Sequence, residues 1–135
     1  MSKNILFICK HNRFRSKVAE AFFKKYNKNK NYKPFSGGLL PGRYPLEEMQ
    51  IKVAKEFGIN LKGRPKPIKM DLLMKMSIVV IVANNVPSEI FKNEKYDRQE
   101  IIWNIHDDYT GDYNDVRNII AQIEKKVLEL IRELK

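Results

Sequence analysis

The chain has 135 residues, 43% apolar and 31% charged, with 26 Lys and Arg against 16 Asp and Glu and a formal net charge of +10. That length fits one domain, residues 1–135, with a real core, and no apolar run approaches the about 20 residues of a membrane helix. The positive excess favours acidic partners: a solvated lysine-rich surface is the first reading, an anionic substrate the next, and nucleic acid the third, because no recognition motif accompanies the lysines.

Met1-Ser2-Lys3-Asn4 leads straight into Ile5-Leu6-Phe7-Ile8, an apolar run too short for a signal-peptide core and followed by no small-residue cleavage site, so a cytoplasmic protein is expected. Ile5 to Cys9 reads as a buried strand, and Ser16 to Tyr26 as a helix with Val18, Ala19, Phe22 and Phe23 at helical spacing. Pro34-Phe35-Ser36 is a short strand stopped by Gly37-Gly38. Leu46 to Phe57 reads as a helix ended by Gly58, Arg64-Pro65-Lys66-Pro67 as a loop, and Asp71 to Met76 as a short helix capped by Asp71. Ser77 to Ala83 is a continuous β-branched strand, Ser88 to Phe91 a helical turn, and Glu100 to Ile105 a fourth strand. Val116 to Leu134 is a long amphipathic helix with Val116, Ile119, Ile120, Ile123, Val127, Leu130, Ile131 and Leu134 on one face. Alternating strands and helices imply an α/β fold, expected here as a three-layer α/β/α sandwich around a four-stranded parallel sheet. Ligands of such sheets bind at the carboxyl ends of strands, so the ends of the first and fourth strands are the places to search.

The first strand ends in Cys9-Lys10-His11-Asn12-Arg13-Phe14-Arg15-Ser16, a C-x5-R-S segment between a strand and a helix. Loop amides and a helix N-terminus converge there on one anion site, which favours a cysteine as its thiolate. The lone cysteine of the chain excludes an internal disulfide and a cysteine-based metal cage, and most such cysteines are inert buried hydrophobes; the neighbours of Cys9 mark it as a nucleophile instead. Arg15 offers a planar fork that matches two phosphoryl oxygens. Ser16 can donate to the thiolate, and Asn12 tolerates the left-handed backbone that holds such a loop open.

These residues resemble the low-molecular-weight protein tyrosine phosphatase family, which also includes thioredoxin-coupled arsenate reductases. ILFICKHNRFRSKVAEAFFKKY is similar to the family's opening strand, phosphate loop and first helix, with Cys9, Asn12, Arg15, Ser16 and Ala19-Glu20 on the motif. Ser36-Gly37-Gly38 resembles the Ser-Ala-Gly turn after the second strand, and Phe57-Gly58-Ile59 before a basic loop resembles the middle section. The chain departs from the usual loop at His11, where phosphatases commonly have Gly, at Phe14, which replaces a second loop cysteine, and at Arg13, which adds a charge at the rim. His11-Asn12 is more similar to the arsenate reductase branch; His11 could tune the thiolate, and its bland reading is a side chain that packs the loop.

The resemblance implies a phosphate-binding set of Lys10, His11, Asn12, Arg13, Phe14, Arg15 and Ser16, and a catalytic acid. Trp103-Asn104-Ile105-His106-Asp107-Asp108-Tyr109 is similar to the family's Asp-Pro-Tyr loop; registering Tyr109 on the family's Tyr puts Asp107 at the acid position and Asp108 where Pro is normal. Otherwise both acids merely flank a loop or cap the last helix, as Asp112 and Asp115 could equally. The implied mechanism is attack of Cys9 on phosphorus with protonation by Asp107, then hydrolysis of the cysteinyl-phosphate, with no metal or other cofactor. Tyr109, and in a second wall Tyr44, would line a slot for an aryl phosphate, with phosphotyrosine protein or a small phosphoester as substrate. Two alternatives stand beside this phosphomonoester hydrolase: an arsenate reductase drawing on an external thiol, since further cysteines are absent, and a non-catalytic anion-binding module.

Overall fold

The computed structural model describes residues 3–40, 46–62, 64–91 and 98–134. Four strands, β1 (Lys3–Cys9), β2 (Tyr32–Gly38), β3 (Ile78–Val82) and β4 (Gln99–Trp103), form one sheet in the order β2-β1-β3-β4, with every pair parallel. The helices are α1 (Arg15–Tyr26), α2 (Glu48–Glu56), α3 (Met70–Met74) and α4 (Tyr113–Glu133), with a 3-10 turn at Ser88–Phe91. The α/β class, the parallel four-stranded sheet and the loop after β1 are as expected.

Period-two alternation on strands buried on both faces divides the core. Ile5, Phe7, Val80 and Val82 point to the side of α1, α2 and α4, with Phe22, Phe23, Val53, Ile120 and Ile123. Leu6, Ile8, Val79 and Ile81 point to the side of α3, with Leu73 and Met76. Six α4 side chains, from Val116 to Leu130, are buried. Each contributes about 1.5–3 kcal/mol, which outweighs the about 1 kcal/mol of a side-chain cap; Asp112 at the N-cap makes no such bond.

Several boundaries differ from the sequence reading for physical reasons. β2 runs through Gly37 and Gly38 instead of stopping before them, because it pairs with β1 as far as Cys9. A Cβ on Gly38 would lie 2.5 Å from the His11 carbonyl carbon, so this glycine admits the loop after β1 against the sheet. α3 begins one residue before Asp71, with Lys69 at the N-cap, so Asp71 sits in the first turn and caps nothing. β4 ends at Trp103; Ile105 lies beyond it, where its carbonyl accepts from the Asn84 amide. Among the described residues no helix is long and apolar enough to cross a membrane.

Candidate active site

β1 is an inner strand, and its carboxyl end delivers Cys9 to a loop that closes within seven residues onto α1. The loop is built around Asn12, which is fully buried and has a φ of 54°. Asn tolerates that conformation because its short amide bonds locally. Here Asn12 Nδ2 donates to Ser16 Oγ at 2.7 Å, and Asn12 Oδ1 accepts from the Lys66 amide at 2.9 Å. Ser16 Oγ thus already accepts one bond, and its own hydrogen is left for Cys9 Sγ at 3.0 Å. Cys9 is 2% exposed.

Arg15 opens α1 and is buried. Nη1 donates to the Ile105 carbonyl at 2.8 Å, Nη2 donates to Asn85 Oδ1 at 3.0 Å, and Nη2 lies 3.5 Å from Asp107 Oδ2. A guanidinium has five N–H donors in a rigid fork, so these contacts orient it and leave donors for an anion. The ends of β1 and β4 meet at this residue, as the sheet rule anticipates; the end of β3, which supplies Asn85, also enters.

The two neighbouring acids differ in what they touch. Asp107 is partly exposed, faces Arg15, and accepts the Asp108 amide on Oδ1 at 2.8 Å. Asp108 is buried and saturated: Oδ2 accepts Gln50 Nε2 at 3.0 Å and Oδ1 accepts the Gly111 amide at 2.9 Å. Gly111 has a φ of 68°, which this turn requires. Gln50 is fully buried because it also closes the capping box of α2, its Oε1 accepting the Glu47 amide at 2.9 Å. One side chain thus ties the start of α2 to the acid loop and turns Asp108 away from Arg15.

The other expected residues fall in different places. Phe14 buries its side chain in the core, so only its backbone can face an anion. Arg13 is paired with Glu47 at 2.6 Å rather than standing as a bare charge at the rim. Lys10 is half-buried, its carbonyl accepting the Leu40 amide at 2.8 Å. His11 keeps Nδ1 buried without a hydrogen-bond partner among the described residues. Tyr109 is 75% exposed near the acid loop, and Tyr44 lies outside the described residues. Among the described residues no group of three or more His, Cys, Asp or Glu is placed to hold a metal.

Sequence reasoning missed Asn85, Gln50, the Lys66 amide and the close approach that Gly38 admits. Of these only the Gly37-Gly38 pair leaves a signal, as a strand stop and as a likeness to the family's Ser-Ala-Gly turn. The basic segment around Lys66 is pinned beside β2, with the Gly38 amide donating to the Lys66 carbonyl at 2.7 Å and the Ile68 amide to the Gly38 carbonyl at 2.9 Å.

Residues 4–135 match the family described as low molecular weight phosphotyrosine protein phosphatase. The chain belongs to that family. Its fold is that of an arsenate reductase from Archaeoglobus fulgidus, at 25% identity and a TM-score of 0.74 over 96% of this chain and 99% of that one. A low molecular weight protein tyrosine phosphatase from T. tengcongensis is similar at 22% identity and a TM-score of 0.82, over 98% and 100% of the two chains. A mutant of YwlE from Bacillus subtilis is similar at 18% identity and a TM-score of 0.82, over 98% of either chain; a Cys-to-Ser mutant of the YwlE arginine phosphatase carries a phosphorylated active-site serine. Comparison with curated proteins finds no match. Phosphatases and arsenate reductases thus share the family's fold.

Proposed function

We propose that the chain is a phosphomonoester hydrolase, acting on phosphotyrosine protein or a related small aryl phosphoester through a cysteinyl-phosphate intermediate. The observation that carries this reading is the convergence on one loop of Cys9, bonded to Ser16, and of buried Arg15, facing Asp107. The Cys9 thiolate attacks phosphorus in line, the P–O bond to the leaving group breaks, and Asp107 delivers a proton to the departing oxygen. Arg15 and the loop amides hold the equatorial oxygens as charge builds on them. Asp107 then takes a proton from water, which attacks phosphorus and breaks the S–P bond; Ser16 stabilises the departing thiolate. Exposed Tyr109 supplies an aromatic wall that favours an aryl substrate. A lone free thiol suits a reducing compartment such as the cytoplasm.

Steady-state hydrolysis of a panel of phosphoesters, with rapid-quench trapping of the phosphoenzyme, tests this reading. Turnover by wild-type enzyme that is lost in Cys9→Ser supports it, and equal turnover in the two proteins overturns it. The A. fulgidus likeness favours a second reading, arsenate reduction with an external thiol as electron donor. Under the phosphatase reading arsenate is a competitive inhibitor; sustained arsenate-dependent thiol oxidation would promote the reductase.

A further inference from the structure

Beside the phosphate loop lies a second polar cavity, of about 420 Å³, lined by Lys17, Glu20, Lys24, Asn60, Lys62 and Lys66 among others. Its volume falls within the range of small-molecule sites. Four lysines and one carboxylate line it, and that carboxylate is already engaged: Glu20 accepts Ser36 Oγ at 2.8 Å and lies 3.5 Å from Lys24 Nζ.

Lys17 is the unusual wall. It is only 7% exposed, yet an ammonium has three donors and, among the described residues, Nζ has a single hydrogen-bond acceptor, the Lys62 carbonyl, at 3.4 Å. A buried charge so poorly served is costly unless something pairs with it. The positive wall continues in Lys62 and Lys66, so what the cavity lacks is negative charge with several acceptor oxygens. We propose that this cavity is a second anion site, separate from the Cys9 loop, that takes a phosphate-type oxyanion, either free phosphate or the phosphate group of a small molecule. The Lys17 pKa lies below its ordinary value, through burial first and the neighbouring Lys66 second; a bound dianion relieves both.

The test is a residue-resolved amide NMR titration of the wild-type chain at constant ionic strength. Inorganic phosphate, methylphosphonate as a non-hydrolysable stand-in for an esterified phosphate, and chloride are the three titrants. Two saturating sets of shifts are expected, one over residues 9–16 and one at Ala21, Leu61 and Lys62, with separate midpoints. Lys17→Met and Lys62→Gln should each weaken the second set by about tenfold or more, the loss of one charge-assisted hydrogen bond, while leaving the first in place. Equal binding of phosphate and methylphosphonate assigns the site to phosphorylated molecules, and binding of phosphate alone assigns it to the free anion. Shifts confined to residues 9–16, shifts matched by chloride, or unchanged binding in both variants would overturn the proposal.

Discussion

At the residue scale, the chemistry turns on which atoms are engaged before a substrate arrives. Under the proposed mechanism Cys9→Ser should abolish turnover while phosphate or tungstate still binds, because amides and Arg15 hold the anion whereas a serine oxygen is a far poorer leaving group than the thiolate; calorimetry beside a rate assay checks this. Arg15→Lys should be nearly as damaging as Arg15→Ala, since a point charge cannot reach Ile105, Asn85 and two phosphoryl oxygens together. The two acids should separate cleanly. Asp107→Asn should slow substrates with poor leaving groups on the order of 10²–10⁴-fold and spare activated aryl phosphates. Asp108→Asn should instead lower stability by about 1–3 kcal/mol, because an amide there sets a donor against Gln50 Nε2 or the Gly111 amide; leaving-group dependence in Asp108→Asn would shift the acid by one position. Cys9, Asn12, Arg15 and Ser16 were legible because loop chemistry demands residue types at a fixed spacing. Asn85 and Gln50 were not, because their roles depend on contacts 70 and 58 residues away, which no local pattern encodes.

At the element scale, strands and long helices were readable because continuous β-branched runs and helical spacing leave a strong period. The short pieces were not: α3 has five residues and no side-chain cap, so its start is set by packing of Leu73 rather than by Asp71. β2 was truncated in the reading because glycine signals a stop, whereas here it permits close approach. Gly38→Ala makes that distinction measurable. The added methyl would meet the backbone of His11 and Asn12, at 2.5 and 2.7 Å, and backbone cannot rotate aside. The variant should fold, since the β1–β2 pairing from Lys3↔Tyr32 to Ile8↔Gly37 is untouched, yet lose phosphate affinity and activity by at least about tenfold, because misplacement by about 1 Å costs that much or more. Activity near the parent level would show that the loop tolerates the displacement.

At the scale of the whole molecule, Lys17 makes stability depend on pH. Its folded pKa lies below 10.5, lowered by burial and Lys66 and partly restored by Glu20 and Cys9. Between the folded value and 10.5 the unfolded chain binds more protons, so stability rises with pH through that window, and below it the full cost of the buried charge is present. Lys17→Met should therefore melt higher than the parent at neutral pH without added oxyanion, with the gap narrowing as pH climbs toward 10.5; a gap that widens would contradict it. Cys9 and its loop lie near the start of the chain, and the partners of Asn12 and Arg15 come later: Lys66, then Asn85, then Ile105, the last 90 residues beyond Arg15. A ribosome adding about 5–20 residues per second needs roughly 5–20 s to cover that interval. Through those seconds the nascent chain carries Cys9 and Arg15 without the partners that orient the guanidinium. Under the proposed mechanism the site is complete only once Ile105, just beyond β4, reaches Arg15, and a chain stalled before that point would display a thiol beside an unanchored arginine.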